Sequence, residues 1–462
     1  MFKNNFFTHK SAKYIFLSIV TLTSTLSYAE HRKHSRVIQQ NINLQNYSIF
    51  KPINIDEISK IAIRNRQDLE SFEYLIEANW HAERAALGAF LPQITIVADS
   101  GKSSVEELSG ISQYPRESIT LDINQLIFSL GGPKIKYQMA KEDTQISIAQ
   151  KETLKNSIRF GAEVDFLTLK KELLRKELIE ILDDSSKLTF DQYKTREKTG
   201  FLNKAQWANS QATFSKDQNS VINYPSNVDI ATKLLERNTN MQVDPNFISL
   251  DTKNLENIKL LPQEEYFKYA MENRPDLKEK NHQITQANYS TKYYKYRYVP
   301  EIYLTTHVQK AKMVQCPPAA IDTIPFDNTP LIWHVGLNAT WNFDGFSSFN
   351  TSKQYDDLST SYILKKRDIE LNILKDIQAL RSEIETQIET LKPATQKMEA
   401  AKIELDNIKT QYDVGLTPLY QYKQAQLAFN QADFELTALK IDLKRNNQKL
   451  LFLCGYPQEI SN

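Results

Sequence analysis

The sequence predicts a mainly α-helical chain made of two copies of one unit, each copy interrupted by a single β-hairpin. Three observations carry this. Asn65-Arg66-Gln67-Asp68-Leu69 returns 208 residues later as Asn273-Arg274-Pro275-Asp276-Leu277, and Leu91-Pro92-Gln93-Ile94 returns at the same offset as Val299-Pro300-Glu301-Ile302. A repeat at that scale governs the whole architecture. Glycine is scarce, at 11 of 462 residues, while charged residues make up 24% and hydrophobic ones 41%. That composition suits long helices better than a compact α/β enzyme. Finally, the apolar period falls to two at the same place in each copy, directly after Pro92 and Pro300.

The first segment, 1–29, has the grammar of a secretory signal peptide. Lys3, Lys10 and Lys13 precede an apolar run from Tyr14 to Leu26, and Ser27-Tyr28-Ala29 offers small residues for cleavage. No cysteine follows closely enough to carry a lipid, and the apolar run falls short of the ~20 residues a spanning helix needs. A polar segment, 30–55, comes next. The formal charge of +1 leaves no basic stripe for nucleic acid. Cys316 and Cys454 are too few and too distant for a disulfide framework.

The first repeat is read as 56–240. A helical pattern from Asp56 runs through Ile58, Ile61, Leu69 and Leu75 until Pro92 stops it. A hairpin over 93–127 follows. Ile94, Ile96 and Ala98 share a face, a polar loop intervenes, and Ile119, Leu121, Ile123, Gln125 and Ile127 share the return face. From Lys134 to Thr199 there is no strong breaker except Gly161, and as one helix at ~1.5 Å per residue the segment would span roughly 100 Å. Gly200 makes a turn, and a further helix runs from Asn203 to Thr239. Residues 241–262 read as a linker.

The second repeat, 263–457, follows the same order. A helix covers Gln263 to Tyr298, and a hairpin covers 301–343 with the proline-rich loop Cys316–Pro330 at its tip. The return strand places Leu331, Trp333, Val335, Leu337, Ala339, Trp341 and Phe343 on one face. A long helix then carries Ile373, Ile377, Leu380, Ile384, Ile388, Leu391 and onward to Tyr412 at a mean spacing of about 3.5, the coiled-coil period. Pro393 within it should bend it. Gly415 makes the second turn, 215 residues after Gly200, and Gln206, Gln211 and Phe214 recur at that offset as Gln421, Gln426 and Phe429. A last helix and a short tail, 458–462, end the chain.

A hairpin with one apolar face cannot stand alone in water. Four strands are also too few to close a barrel. Several copies pooling strands into a barrel and helices into a tube would bury both the hairpin faces and the helical seams. With apolar residues turned to lipid, that barrel is a membrane pore. The rival reading is a soluble periplasmic coiled-coil adaptor or scaffold, which leaves the two hairpins unexplained. No nucleophile, acid–base pair or metal-spaced cluster emerges, so neither an enzyme nor a cofactor is expected.

These residues resemble the TolC-like outer-membrane efflux and secretion channel proteins. The likeness rests on Asn-Arg-x-Asp-Leu before each first strand, the strand-opening prolines Pro92 and Pro300, and the strand ends Gln125–Phe128 and Trp341–Gly345. Tyr412-Asp413-Val414-Gly415 is similar to the family's Tyr-x-x-Gly turn. The resemblance implies a homotrimer with a twelve-stranded barrel in the outer membrane and a coiled-coil tunnel in the periplasm. It implies an exit duct for efflux or type I secretion that works with a periplasmic adaptor (membrane fusion) protein and an inner-membrane ABC or RND-type transporter. Adaptor docking would fall at the turns marked by Gly200, Tyr412 and Gly415. Family members often carry aspartates near the narrow tunnel end. The matching positions here are Gln206, Gln421 and Gln424, so a neutral constriction is expected. Trp333 and Trp341 are expected to face lipid or its interface.

Overall fold

Apolar residues at helical spacing, broken at the same two places per copy, produce the observed order of elements. The computed structural model describes residues 53–107, 110–252, 255, 258, 260–311 and 331–456. In the first copy these are α1 (Ile55–Asn65), α2 (Gln67–Leu87), β1 (Gln93–Glu107), β2 (Gly110–Phe128), α3 (Gly132–Leu174), α4 (Lys176–Lys198) and α5 (Lys204–Thr239). In the second they are α6 (Gln263–Asn273), α7 (Pro275–Tyr296), β3 (Glu301–Ala311), β4 (Leu331–Thr340), α8 (Ser347–Asp413) and α9 (Leu419–Leu453). α1, α2 and β1 begin 208 residues before α6, α7 and β3, while α3 and α5 begin 215 before α8 and α9. The expected signal peptide, Cys316 with its loop, and the tail 458–462 lie outside the described residues.

Several expectations need correction. The opening helix of each copy is two helices, because Arg66 and Arg274 adopt extended backbone (φ −82, ψ 115 and φ −64, ψ 122). Pro275 contributes in the second copy, since it disfavours helical backbone in the residue before it. Each arginine then folds back onto its own motif. Arg66 pairs with Asp68, and Arg274 grips Asp276 through Nε at 2.9 Å and Nη2 at 2.5 Å. The Asn-Arg-x-Asp-Leu motif is thus a helix break, with Leu69 and Leu277 as buried anchors just beyond it.

The single helix expected over Lys134–Thr199 is two, interrupted at Arg175. Gly161 has a packing role: a Cβ there would lie 3.3 Å from Asn238 Nδ2 on α5. In the second copy α8 is assigned unbroken over 67 residues with Pro393 inside it. The polar stretch read as the first hairpin's loop is strand, paired from Gln93↔Asn124 through to Glu107↔Gly110. Backbone pairing there overrides a composition that lacks apolar alternation.

The described residues form two units. The helical one comprises 53–78, 143–285 and 359–456. It buries three apolar clusters. One gathers Ile58, Phe166, Leu167, Leu235 and Ile441; another gathers Tyr266, Ile373, Ile377, Ile384, Leu443 and Leu450; the smallest gathers Ala62, Leu69, Ile158 and Ala162. The predicted α8 seam is therefore buried over Ile373–Ile384, and it is half-buried from Ile388 to Ile408. The 241–262 segment adds Met241, Val243, Ile248 and Leu255 to the first cluster.

One buried carboxylate stands out in this unit. Glu163 is 1% exposed and accepts from Arg159 Nε at 2.9 Å and from the Tyr456 hydroxyl at 2.9 Å. Burial pushes its carboxyl above the ordinary range, against the pull of those two donors. Cys454 is a buried free thiol, pushed up to about 12 by desolvation.

Candidate functional site

In the second unit, residues 79–142 and 286–358, the sheet is a meander in the order β1-β2-β3-β4, every pair antiparallel. Register aligns the two hairpins so that one face is apolar across all four strands. One row runs Ile96, Leu121, Val308, Trp333, and the next runs Ile94, Ile123, Thr306, Val335. Further toward the base, Gln125, Leu304 and Leu337 align, then Ile302 with Ala339. A face of this kind would be core in a soluble protein. Here it is open: Leu337 is 73% and Trp333 69% exposed, with Ile94, Ile96 and Val335 also exposed. β1 and β4 each pair on one side only among the described residues, so both edges offer unpaired backbone groups.

Two local features set the base of the sheet. A bulge at Ile127 shifts the register, so that Phe128 stands opposite Ile302. The expected alternation through Ile127 is corrected there, because the extra residue flips the phase. The return strand also stops at Thr340, which leaves Trp341 and Phe343 beyond it. Trp341 instead donates its indole N–H to the Tyr298 carbonyl at 3.1 Å. The Tyr298 hydroxyl donates to Asp344 at 3.1 Å and accepts from the Phe349 N–H at 3.1 Å, while Asp344 accepts from Ser348 N at 3.0 Å. Ser348, hydrogen-bonded to Asp344, holds that carboxyl below its ordinary range. Gln125 ties the first hairpin down in a similar way, donating at 3.2 Å to the Phe90 carbonyl. Pro92 and Pro300 each sit directly before a strand, where no ladder N–H is needed.

The opposite face is polar. Thr95, Asp122, His307 and His334 form one row across it, and His307 Nδ1 lies 2.6 Å from Asp122 Oδ1. His307 and His334 pair within the second hairpin, and Asp122 joins them only through the register between copies.

In the helical unit the two turns share a helix ending. Gly200 (φ +74) and Gly415 (φ +78) take the left-handed conformation that favours glycine. Phe201 N bonds Arg196 O and Gly200 N bonds Glu197 O; Leu416 N bonds Gln411 O and Gly415 N bonds Tyr412 O. Both are Schellman endings. The residue after each glycine is apolar and bare, Phe201 at 84% and Leu416 at 79% exposed. Sequence reading missed this pair, although it stands at the 215 offset. Of the expected constriction residues, Gln206 closes a capping box, accepting from Asn203 N at 3.2 Å while Asn203 accepts from Gln206 N at 2.8 Å. Gln421 donates to the Tyr420 hydroxyl at 3.1 Å, and Gln424 is exposed. Tyr412 stacks on Tyr422 at 5.2 Å.

Among the described residues, no helix is long and apolar enough to cross a membrane. Residues 267–456 match the family model for outer membrane efflux proteins. No curated protein matches the chain in sequence. In fold, the chain is similar to the CmeC outer membrane channel of Campylobacter jejuni, with a TM-score of 0.69 at 14% identity, covering 87% of this chain and 85% of that one. It is likewise similar to the outer membrane protein VceC of Vibrio cholerae, at 0.68 and 12%, over 87% and 97% of the two chains. The open-state MtrE outer membrane channel of Neisseria gonorrhoeae gives 0.65 at 14%, over 88% and 91%.

Proposed function

From a chain whose residues 267–456 match the outer membrane efflux protein model and whose fold is similar to that of outer-membrane channels, we propose that this protein is the passive exit duct of a tripartite efflux or type I secretion assembly. The observation that carries the reading is the open apolar face shared by both hairpins, in a sheet with two unpaired edges. Three copies joining β4 of one to β1 of the next would close a twelve-stranded barrel. Its apolar rows would then meet outer-membrane lipid and its polar rows would line the bore. The partly covered seam of α8 would find its remaining partners in neighbouring copies, giving a periplasmic tunnel.

Docking of a periplasmic adaptor is assigned to the turns at Gly200, Tyr412 and Gly415, with Phe201 and Leu416 as paired apolar contacts of the kind that anchor interfaces. The inner-membrane ABC or RND-type transporter supplies energy and chooses the cargo. Gln206, Gln421 and Gln424 would leave the narrow end without a focused negative potential. The test is planar-bilayer recording on the detergent-purified chain, with inter-copy crosslinking between β1 and β4 cysteines. Discrete conductance from a crosslinked trimer is expected, without strong divalent block. A water-soluble monomer that carries no current would overturn the reading, and strong block at low divalent concentration would overturn the neutral constriction.

A further inference from the structure

We infer that the row Asp122–His307–His334 on the polar face is a proton-titrated charge band that sets the ion selectivity of the bore; this rests on the pore reading above. From the row containing Asp99, Ser118 and Ala311 down to the row of Glu301 and Thr340, the charged or titratable groups on this face are three carboxylates, two imidazoles and one phenol. The carboxylates are Asp99 on β1, Asp122 on β2 and Glu301 on β3. The imidazoles are His307 on β3 and His334 on β4. The phenol, Tyr303, donates to Glu301 at 2.6 Å. No lysine or arginine stands on this face between those rows; the nearby Lys310 belongs to the apolar face, opposite Ile119 and Leu331.

Within the row itself Asp122 is the one carboxylate, so with neutral imidazoles the row carries at most one negative charge per copy, and protonating both histidines adds two positive ones. Histidine is the side chain whose charge changes between about pH 5 and 8. Charges gathered along a low-dielectric wall act more strongly on passing ions than the same charges on an open surface. The geometry favours a working band over two stray residues. His307 and His334 are direct register partners, and His307 is held at 2.6 Å from Asp122, the one carboxylate in its row. Gly336 leaves His334 its space, since a Cβ there would lie 2.8 Å from the ring Nε2.

The experiment is reversal-potential measurement of the full trimer in a KCl gradient, from about pH 8 down to about pH 5. The wild-type chain should be cation-selective at the upper pH and lose that preference several-fold at the lower one. The double variant His307→Gln/His334→Gln should keep its cation preference throughout. Asp122→Asn should be less selective than wild type at the upper pH. The single variant His334→Gln, on the outer strand, should show an intermediate shift and serves if the double variant fails to assemble. A pH dependence unchanged in these histidine variants, in channels of normal conductance, would overturn the band. Absence of any conductance from the wild-type chain would instead count against the pore itself.

Discussion

The two units treat their apolar residues in opposite ways. In the helical unit Ile377, Ile384, Leu443 and Leu450 are sealed within one chain. In the sheet unit Leu337, Val335 and Trp333 form an equally ordered apolar array that this chain leaves bare. Burial is worth roughly 25 cal/mol per Å² of apolar surface. The helical unit collects much of that stabilisation within one chain, and on the pore reading the sheet unit collects it from lipid and neighbouring copies. The contrast teaches that the helices seal a core within one chain while the hairpins' apolar face is left to an environment outside it.

The sharpest way to break the contrast is to delete side chain volume in the sealed unit. Ile377→Ala should cost about 2–5 kcal/mol through lost transfer energy and a residual cavity. It should show as a large fall in the thermal midpoint of detergent-purified protein. Leu337→Lys addresses the bare unit. If that face meets hydrocarbon, the charge costs roughly 2–4 kcal/mol at the bilayer midplane and lowers the yield of membrane-inserted trimer. A substitution on a face that meets only water stays within about 0.5 kcal/mol, and that result would erase the contrast.

The buried carboxylate gives a pH handle on the sealed unit alone. Because burial raises the Glu163 carboxyl above its unfolded value, its favourable contribution is complete below the unfolded pKa. That contribution is lost as pH rises through the folded one. The thermal midpoint should therefore decline with rising pH above about 4.5, and Glu163→Gln should flatten that slope. The smallest effect concerns the turns. Asn203→Ala removes the capping box of α5 and should cost about 1 kcal/mol. The corresponding start of α9 uses Pro418 with no side-chain cap, so the loss should appear as faster hydrogen exchange at the Gly200 turn only.

Much of this was legible in the chain itself. The duplicated Asn-Arg-x-Asp-Leu and proline landmarks announced two copies, and period-two alternation at Ile94–Ala98 and Leu331–Ala339 announced the hairpins. The turn glycines were visible because φ near +75 strongly favours a residue without Cβ. Other features were hidden for physical reasons. The polar ends of β1 and β2 carry no alternation, so only backbone pairing reveals them as strand. The bulge at Ile127 is a property of two strands together, and no single run of residues encodes it. The Gln206 capping box is readable from Asn203 three residues earlier, since Asn followed by Gln at that spacing is a helix-start signature.

The sequence by itself determined what local periodicity and backbone preference control: two repeats, their helices, their hairpins and the left-handed turns. Tertiary structure alone decided what depends on register between distant segments. Asp122, His307 and His334 became neighbours across 212 residues only because β2, β3 and β4 pair in one alignment. A one-residue slip in that pairing would carry a strand's side chains to the other face. Tyr456 met the Arg159–Glu163 pair only because the chain's last described residues fold back onto α3. Such contacts are set by the summed packing of all elements, and no stretch of sequence carries them alone.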